Sequence, residues 1–415
     1  MTGGGRGRRR AAVGWVVALL ALGLGGCAGF GGPGAQGQWA CWPRFPYQQG
    51  WLGGDGAYSV ALSPTRSVWL FGDTFVGRPE ARDRVGAALV HNAVGVSECR
   101  GGRFAIEYAW RRGADGAPRA FLERPGDGWW WLFGGFVHGG ALYVGLLEVE
   151  RSAPRGPLGI PFAYGGSALA RVANPGDPPA RWRVELLPLV RGAVAHPVSA
   201  FAVAPPHLYL FGFLDLPDGR HPRILARLPL AALTARAPDP GRALETWTDA
   251  GWAAGWRPEA ARIVMDDNAS EMSVRHDPES GAWVALYNFP DLSGAFPQTR
   301  PSDAVVVRTA PAPEGPWSPP RPVFRIPELA PGAGDPHLGC YAAKEQPQFS
   351  RPGSLTFTYV CNLFAGADAD PFAVLGRLQR SMDLYRPRAA TVTLPEPLPG
   401  ARTGAGTLDP AGGRD

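Results

Sequence analysis

The sequence predicts an all-β protein, a five-bladed β-propeller with four-stranded blades. Three observations carry that prediction. A short apolar strand motif recurs five times at long intervals. Each copy follows a turn, and each turn follows another strand-like run. The 57 glycines and 44 prolines make up about a quarter of the 415 residues, a level that favours turns over long helices.

The motif copies are WLFGD (69–73), WLFGG (131–135), YLFGF (209–213), VALYN (284–288) and TYVCN (358–362), with starts 62, 78, 75 and 74 residues apart. The turns before them are 63–65, 126–128, 205–206, 279–281 and 352–353. Each copy is read as the second strand of its blade. A third apolar strand is expected later in each unit, at 92–98, 166–172, 222–228, 303–309 and 373–379. Strands between turns, repeated at this period, would stack so that each blade buries its faces on its neighbours. A pair of β-sandwiches is the alternative, and it does not predict the period. The propeller is expected over 39–393, as one domain. Residues 394–415, rich in Pro, Gly and Ala, are expected to form a loose tail.

The N-terminus reads as an address. Residues 1–10 are basic and residues 11–26 are apolar and uncharged, the pattern of a signal peptide and too short for a comfortable membrane span. The segment ends in Leu24-Gly25-Gly26-Cys27, which resembles a bacterial lipobox with Cys27 as the lipidated residue. An ordinary secretory signal is the alternative, and both export the chain. Residues 27–38 then read as a tether. Removing 1–26 takes away Arg6, Arg8, Arg9 and Arg10 and leaves 37 basic against 36 acidic residues. A body so nearly neutral has no footprint for nucleic acid.

Export permits disulfides. Cys340 and Cys361 flank one expected hairpin and are assigned as a pair, which leaves Cys41 with Cys99; buried free thiols are the alternative. No Cys-x-x-Cys or His/Cys cluster suggests a metal, and no cofactor is expected. P-loop, Gly-x-Ser-x-Gly, His-Glu-x-x-His and Ser-x-Asp-x-Gly-x-x-Trp motifs are absent from the sequence.

Folding each hairpin about its turn places polar residues at one end of the central channel. Asp55 would face Asp73, Arg119 would face Gly135, and His196 would lie near Phe213. Glu271 would face Asn288, and Lys344 would face Asn362. His91 and Asn92 start the third strand of blade 1 near the same mouth. Like charges on facing strand residues are destabilising and push one carboxyl's pKa up, which is what a general acid needs. Lys344 is the only lysine among 41 basic residues, which hints at a site that a guanidinium does not fit. Trp129-Trp130-Trp131 would sit on the far side of its blade, as core.

The segments GGDGAYSVAL (53–62), VWLFGDTFVG (68–77), HNAVGVSE (91–98), EMSVRHDPESGAWVALYNFP (271–290), CYAAKEQPQFS (340–350) and LTFTYVCNL (355–363) resemble the bacterial family called domain of unknown function 4185. That family includes endo-D-arabinanases. It is similar in architecture to the five-bladed arabinanase, xylosidase and invertase hydrolases. The resemblance implies an inner Asp on blade 1, here Asp55, a companion carboxylate at Asp73, and an acid on blade 4 at Glu271. Where it leads one to expect a His-Pro-Glu-like segment in blade 5, this chain has Gln346-Pro347-Gln348.

The resulting expectation is an exported, lipid-anchored monomer that cleaves a glycosidic bond in a furanose-rich, arabinan-type polysaccharide. Asp55 would be base or nucleophile, and Asp73 and Glu271 compete as acid. Inversion with Glu271 as acid and Asp73 as a pKa tuner is the favoured version. His91, Asn92, Arg119, His196, Asn288, Lys344 and Asn362 would bind substrate. A non-catalytic propeller that binds glycan or protein is the alternative.

Overall fold

The computed structural model describes residue 1 and residues 38–394, apart from 156–159, 218–219, 235–238, 268, 279, 289–302, 333–334 and 366–368. Strands rich in β-branched and aromatic residues alternate with Gly- and Pro-bearing turns, and they pair into five antiparallel sheets. The sheets stand in a ring as a five-bladed propeller on a four-stranded plan. Blade 1 runs outward through Trp51–Ala61, Arg66–Val76, Ala93–Arg100 and Arg103–Ala109, and a short strand, Ala88–Val90, pairs with the end of the second. Blade 2 is Trp129–His138, Ala141–Arg155, Ile160–Val172 and Val184–Arg191. Blade 3 is Ala195–Ala204, His207–Leu214, Arg223–Pro229 and Glu245–Thr248, with a fifth strand Gly251–Ala254. Blade 4 is Ser273–His276, Trp283–Asn288, Ala304–Ala310 and Arg321–Arg325. Blade 5 pairs three strands, Leu338–Glu345, Ser354–Leu363 and Arg388–Thr393.

A sheet covered on both faces buries every side chain of its middle strands. Trp283–Asn288 and Ala304–Ala310 are buried throughout. Their apolar runs therefore lack the alternation of a half-exposed strand.

Three sequence expectations are corrected. The blade 2 motif, 131–135, lies on the innermost strand, not the second. The region before it, where the first strand was expected, forms a separate ribbon of Arg111–Arg112 with Pro118–Arg119. This explains why the first motif interval is the shortest. The stretch 373–379 is not a strand but part of a helix, Pro371–Arg380. Asp370 caps its Phe372 amide, proline occupies the first turn, and Val374 and Leu378, four apart, face inward. The third strand of blade 5 is Arg388–Thr393 instead. Finally, Gln38, assigned to the tether, is buried. It donates to the Ser63 carbonyl at 2.9 Å and accepts from the Ser67 hydroxyl at 2.7 Å. The signal segment, Cys27, the rest of the tether, and residues 395–415 lie outside the described residues, save Met1.

Both assigned disulfides are present. Cys41–Cys99 has Cα atoms 5.9 Å apart and ties the entering chain to blade 1. Cys340 and Cys361 face each other across the first two strands of blade 5, Cα atoms 4.0 Å apart. Among the described residues, one tight group offers metal-type ligands, Glu328 with these two cysteines, and the disulfide takes both thiols.

Blades 5 and 1 meet through side-chain amides. Gln346 donates to the Ala57 carbonyl at 2.9 Å and to Thr358 Oγ1 at 2.8 Å, and Gln348 donates to Ser59 at 2.6 Å and Ser67 at 3.1 Å. The Gln-Pro-Gln segment thus holds the seam of the ring.

Candidate active site

Blade 1 opens with Gly53-Gly54-Asp55-Gly56, and this sequence is what allows Asp55 to turn into the channel. Gly53 sits at φ +117°, and a Cβ there would collide with the Tyr385 carbonyl. Strand register slips between Gly54, opposite Thr74, and Gly56, opposite Phe71. Asp55 at this bulge therefore faces the pair Gly72-Asp73. A Cβ on Gly72 would lie 2.5 Å from Asp55 Oδ1, so glycine there is what makes room for the carboxyl.

Asp55 Oδ2 accepts hydrogen bonds from Tyr341 at 2.8 Å and Tyr385 at 3.2 Å. Burial first, then the charges of Asp73 and Glu271, push its pKa up to about 8. Burial and the neighbouring Asp55 likewise raise Tyr341 and Tyr385 well above the usual tyrosine value, so both stay hydroxyl donors. Asp73 Oδ1 accepts from Trp131 Nε1 at 2.8 Å and bonds His91 Nδ1 at 3.0 Å. Glu271 pairs with Lys344 Nζ at 2.7 Å. That ammonium also donates to the Ala342 carbonyl at 2.9 Å and lies 4.1 Å from the Tyr58 ring centroid. Burial lowers the pKa of Lys344, and the Glu271 charge opposes that shift.

Asp55, Asp73, Glu271 and Lys344 thus form one electrostatic cluster, and His91 belongs to it through Asp73. The other candidates stand elsewhere. Arg119 lies on the exposed ribbon before blade 2 and bonds Asp115 at 3.2 Å, because blade 2 begins ten residues later than the hairpin arithmetic assumed. Asn92 is fully buried. Its amide donates to the Leu122 and Trp130 carbonyls and accepts from the Leu122 N–H, joining blade 1 to blade 2. Asn288 does the same between blades 4 and 5, donating to the Cys340 carbonyl at 2.8 Å and accepting from the Ala343 N–H at 2.9 Å. Both amides are taken up by backbone, not held out for substrate. His196 lies opposite Phe213 as expected, but it is fully buried, with the Tyr164 and Phe213 rings each 5.2 Å away. Asn362 pairs with Gly339, and Lys344 with Thr358. The register differs because a helical turn, Pro347–Phe349, lengthens the hairpin loop.

Sequence reasoning missed the aromatic side of the site. Trp131 touches Asp73, His91 stacks on Trp129 with centroids 4.3 Å apart, and Phe162 meets Trp131 at 4.8 Å. The signal was the WWW run, set aside because its strand was placed one position too far out. Tyr385 follows a helix that was read as a strand, and nothing in its local sequence marks it.

By fold, the chain resembles several solved structures. A candidate hydrolase from Bacteroides ovatus superposes with a TM-score of 0.61 at 17% identity, over 83% of this chain and 86% of that one. A protein of unknown function from Dyadobacter fermentans gives 0.42 at 11% identity, covering 84% of each chain. The catalytic domain of the GH62 α-L-arabinofuranosidase from Coprinopsis cinerea gives 0.42 at 13% identity, over 85% of this chain and 94% of that one. At these identities the likeness is one of fold. Among curated proteins, none matches the sequence. The family whose sequence model matches is described as Domain of unknown function (DUF5005), over residues 44–393. The match does not bear out the narrower resemblance to domain of unknown function 4185. Spanning almost the whole propeller, it shows that this chain belongs to the DUF5005 family.

Proposed function

We propose that the mouth formed by Asp55, Asp73, Glu271 and Lys344 hydrolyses a glycosidic bond in a furanose-rich, arabinan-type polysaccharide. One observation carries the reading: a carboxyl that holds its proton to about pH 8 stands among two further carboxylates in a channel mouth. Glycoside hydrolysis needs that division between a protonated acid and an ionised partner.

The proton distribution favours a different assignment from the sequence expectation. Asp55 carries the proton, so it acts as the acid. With Oδ2 taken by two tyrosine hydroxyls, the proton resides on Oδ1 and passes to the leaving oxygen. Glu271, paired with Lys344, takes a proton from the attacking water. Water adds to the anomeric carbon as the bond to the leaving oxygen breaks, with inversion. Asp73 sustains the raised pKa of Asp55. The two disulfides suit an oxidising compartment, and the lipobox-like Cys27 would tether the propeller to the envelope membrane.

The test is a screen of the purified protein against arabinans and other furanosides, with product anomers followed by NMR. Release of sugar that Asp55→Asn and Glu271→Gln abolish, with inverted anomers, supports the assignment. Retained configuration moves the base role to Asp73 as nucleophile. Binding of the same glycans without cleavage by the wild type returns the non-catalytic alternative.

A further inference from the structure

We propose that the cleft between blades 1 and 2, beside Asp73, is a second saccharide subsite that takes an uncharged sugar residue of the same chain. The proposal rests on the hydrolase reading above and extends it, because it makes the substrate a polymer gripped beyond the scissile bond. The cleft encloses about 620 Å³, and Val90, His91, Arg119, Glu123, Arg124 and Trp129 are among its walls. Ligand sites fall in this size range, with aromatic walls and few polar groups.

Continuity places the cleft next to the chemistry. The imidazole of His91 bonds Asp73 through Nδ1 and lies flat on Trp129, with 17° between the ring planes. Trp131, from the same strand as Trp129, donates to the same Asp73 oxygen. A ligand against His91 and Trp129 therefore sits one side chain from a candidate catalytic carboxylate. Trp129 is half-buried, and an amphipathic aromatic body of this kind supplies contact area at little entropic cost.

Charge selects the kind of sugar. Arg124 is engaged by Glu148 and by Glu150 at 2.8 Å, and Arg119 by Asp115 at 3.2 Å. Both cations on the wall are thus already neutralised, and the exposed Glu123 adds a negative charge. An acidic sugar would find both lining arginines already paired, whereas a neutral one needs only hydroxyl partners. The walls are also fixed before binding. Asn92 bolts the 121–122 segment and the Trp130 carbonyl to blade 1, so the cleft pays little ordering cost.

The experiment measures binding of neutral arabino-oligosaccharides of one to six residues to the full-length Asp55→Asn protein by calorimetry. Affinity should rise with chain length, and Trp129→Ala in that background should remove most of the rise, weakening the longest ligand roughly tenfold or more. Trp39→Ala, an exposed tryptophan outside the cleft, should keep the rise. An equal rise with and without Trp129 overturns the subsite while leaving the hydrolase reading intact. Tighter binding of oligouronides than of neutral chains overturns the charge assignment. If no furanoside oligomer binds and the wild type cleaves none, the hydrolase reading and the subsite both fall.

Discussion

A carboxyl enclosed beside two others binds its proton more tightly than one in water, and this makes Asp55 a liability to the fold as well as a reagent. Its pKa moves from 3.8 to about 8 on folding. Between those values the folded chain holds a proton that the unfolded chain has released. Stability therefore falls as pH rises through that window, by about 1.4 kcal/mol per pH unit at most. Asp55→Asn keeps the hydroxyl acceptor and removes the titration. The variant should gain stability over the wild type progressively from pH 4.5 to 8, while losing all hydrolysis. Thermal melts across that range check this, and parallel wild-type and variant curves would contradict it. The same proton should set the alkaline limb of kcat/KM near pH 8, and Asp73→Asn should shift that limb downward. Lys344→Met tests the partner. It strips Glu271 of its counter-charge in a site where Lys344 is only 1% exposed. A loss on the order of 3 kcal/mol is expected in urea unfolding, with activity lost by at least tenfold.

At the scale of the element, the blade 1 hairpin carries the site because two glycines let one strand cross closely over the other. Gly72→Ala should leave the sheet intact and drive a methyl into Asp55 Oδ1, which its Cβ would meet at 2.5 Å. The expected result is a stability loss of about 1–3 kcal/mol with activity falling far more than the fold signal in circular dichroism. Near-normal turnover in Gly72→Ala would argue that Asp55 does not need its observed position. This hairpin was legible in the sequence because a turn at 63–65 sits between two matched runs, so Asp55 opposite Asp73 follows from counting. Glu271 opposite Asn288 rests on the same counting, whereas the Cys340–Cys361 pair rests only on the two cysteines flanking one hairpin, since the counted register of blade 5 is off. Blade 2 was not legible, since its first strand begins with the motif that elsewhere marks the second, and the ribbon before it imitates a strand. Blade 5 misled in a different way. An apolar run with spacing of four belongs to a helix, and AVLGRLQ was read by its hydrophobicity alone. The lost helix hid Tyr385, and the misplaced blade 2 strand hid Trp131. Asn288 at a hairpin end and Asn92 at the start of a third strand are likewise expected at the channel mouth, yet both turn sideways to bond the next blade.

At the scale of the whole molecule, a ring of blades must be closed, and here side chains reinforce the joint between blades 5 and 1. Arg84 makes five side-chain hydrogen bonds at this joint. Its guanidinium is fully buried and donates to the carbonyls of Leu52, Leu378, Ser381 and Leu384, and to the Tyr47 hydroxyl. Its own amide donates to the Gln379 carbonyl at 2.7 Å. One residue thus fastens the loop after the blade 1 hairpin to the stretch that delivers Tyr385 to Asp55. Burial pushes the Arg84 pKa down, yet the five acceptors justify keeping the group inside. Arg84→Met fills similar space and leaves four carbonyls short of a donor. Each buried orphan costs about 1–3 kcal/mol, so a loss of several kcal/mol in urea unfolding is expected. Arg84→Lys, with three donors on one nitrogen, should recover only part of it. The closure idea makes a sharper demand than stability alone. Amide exchange should rise first in 378–394 and in 78–87, on the two sides of the seam, with blades 3 and 4 still protected. At temperatures where the variant remains folded, kcat should fall more than KM rises, because Tyr385 loses its place while the aromatic wall on blade 2 is untouched. Uniform exchange across all five blades, or full turnover in a seam-loosened Arg84→Met protein, would separate the closure of the ring from the positioning of Asp55.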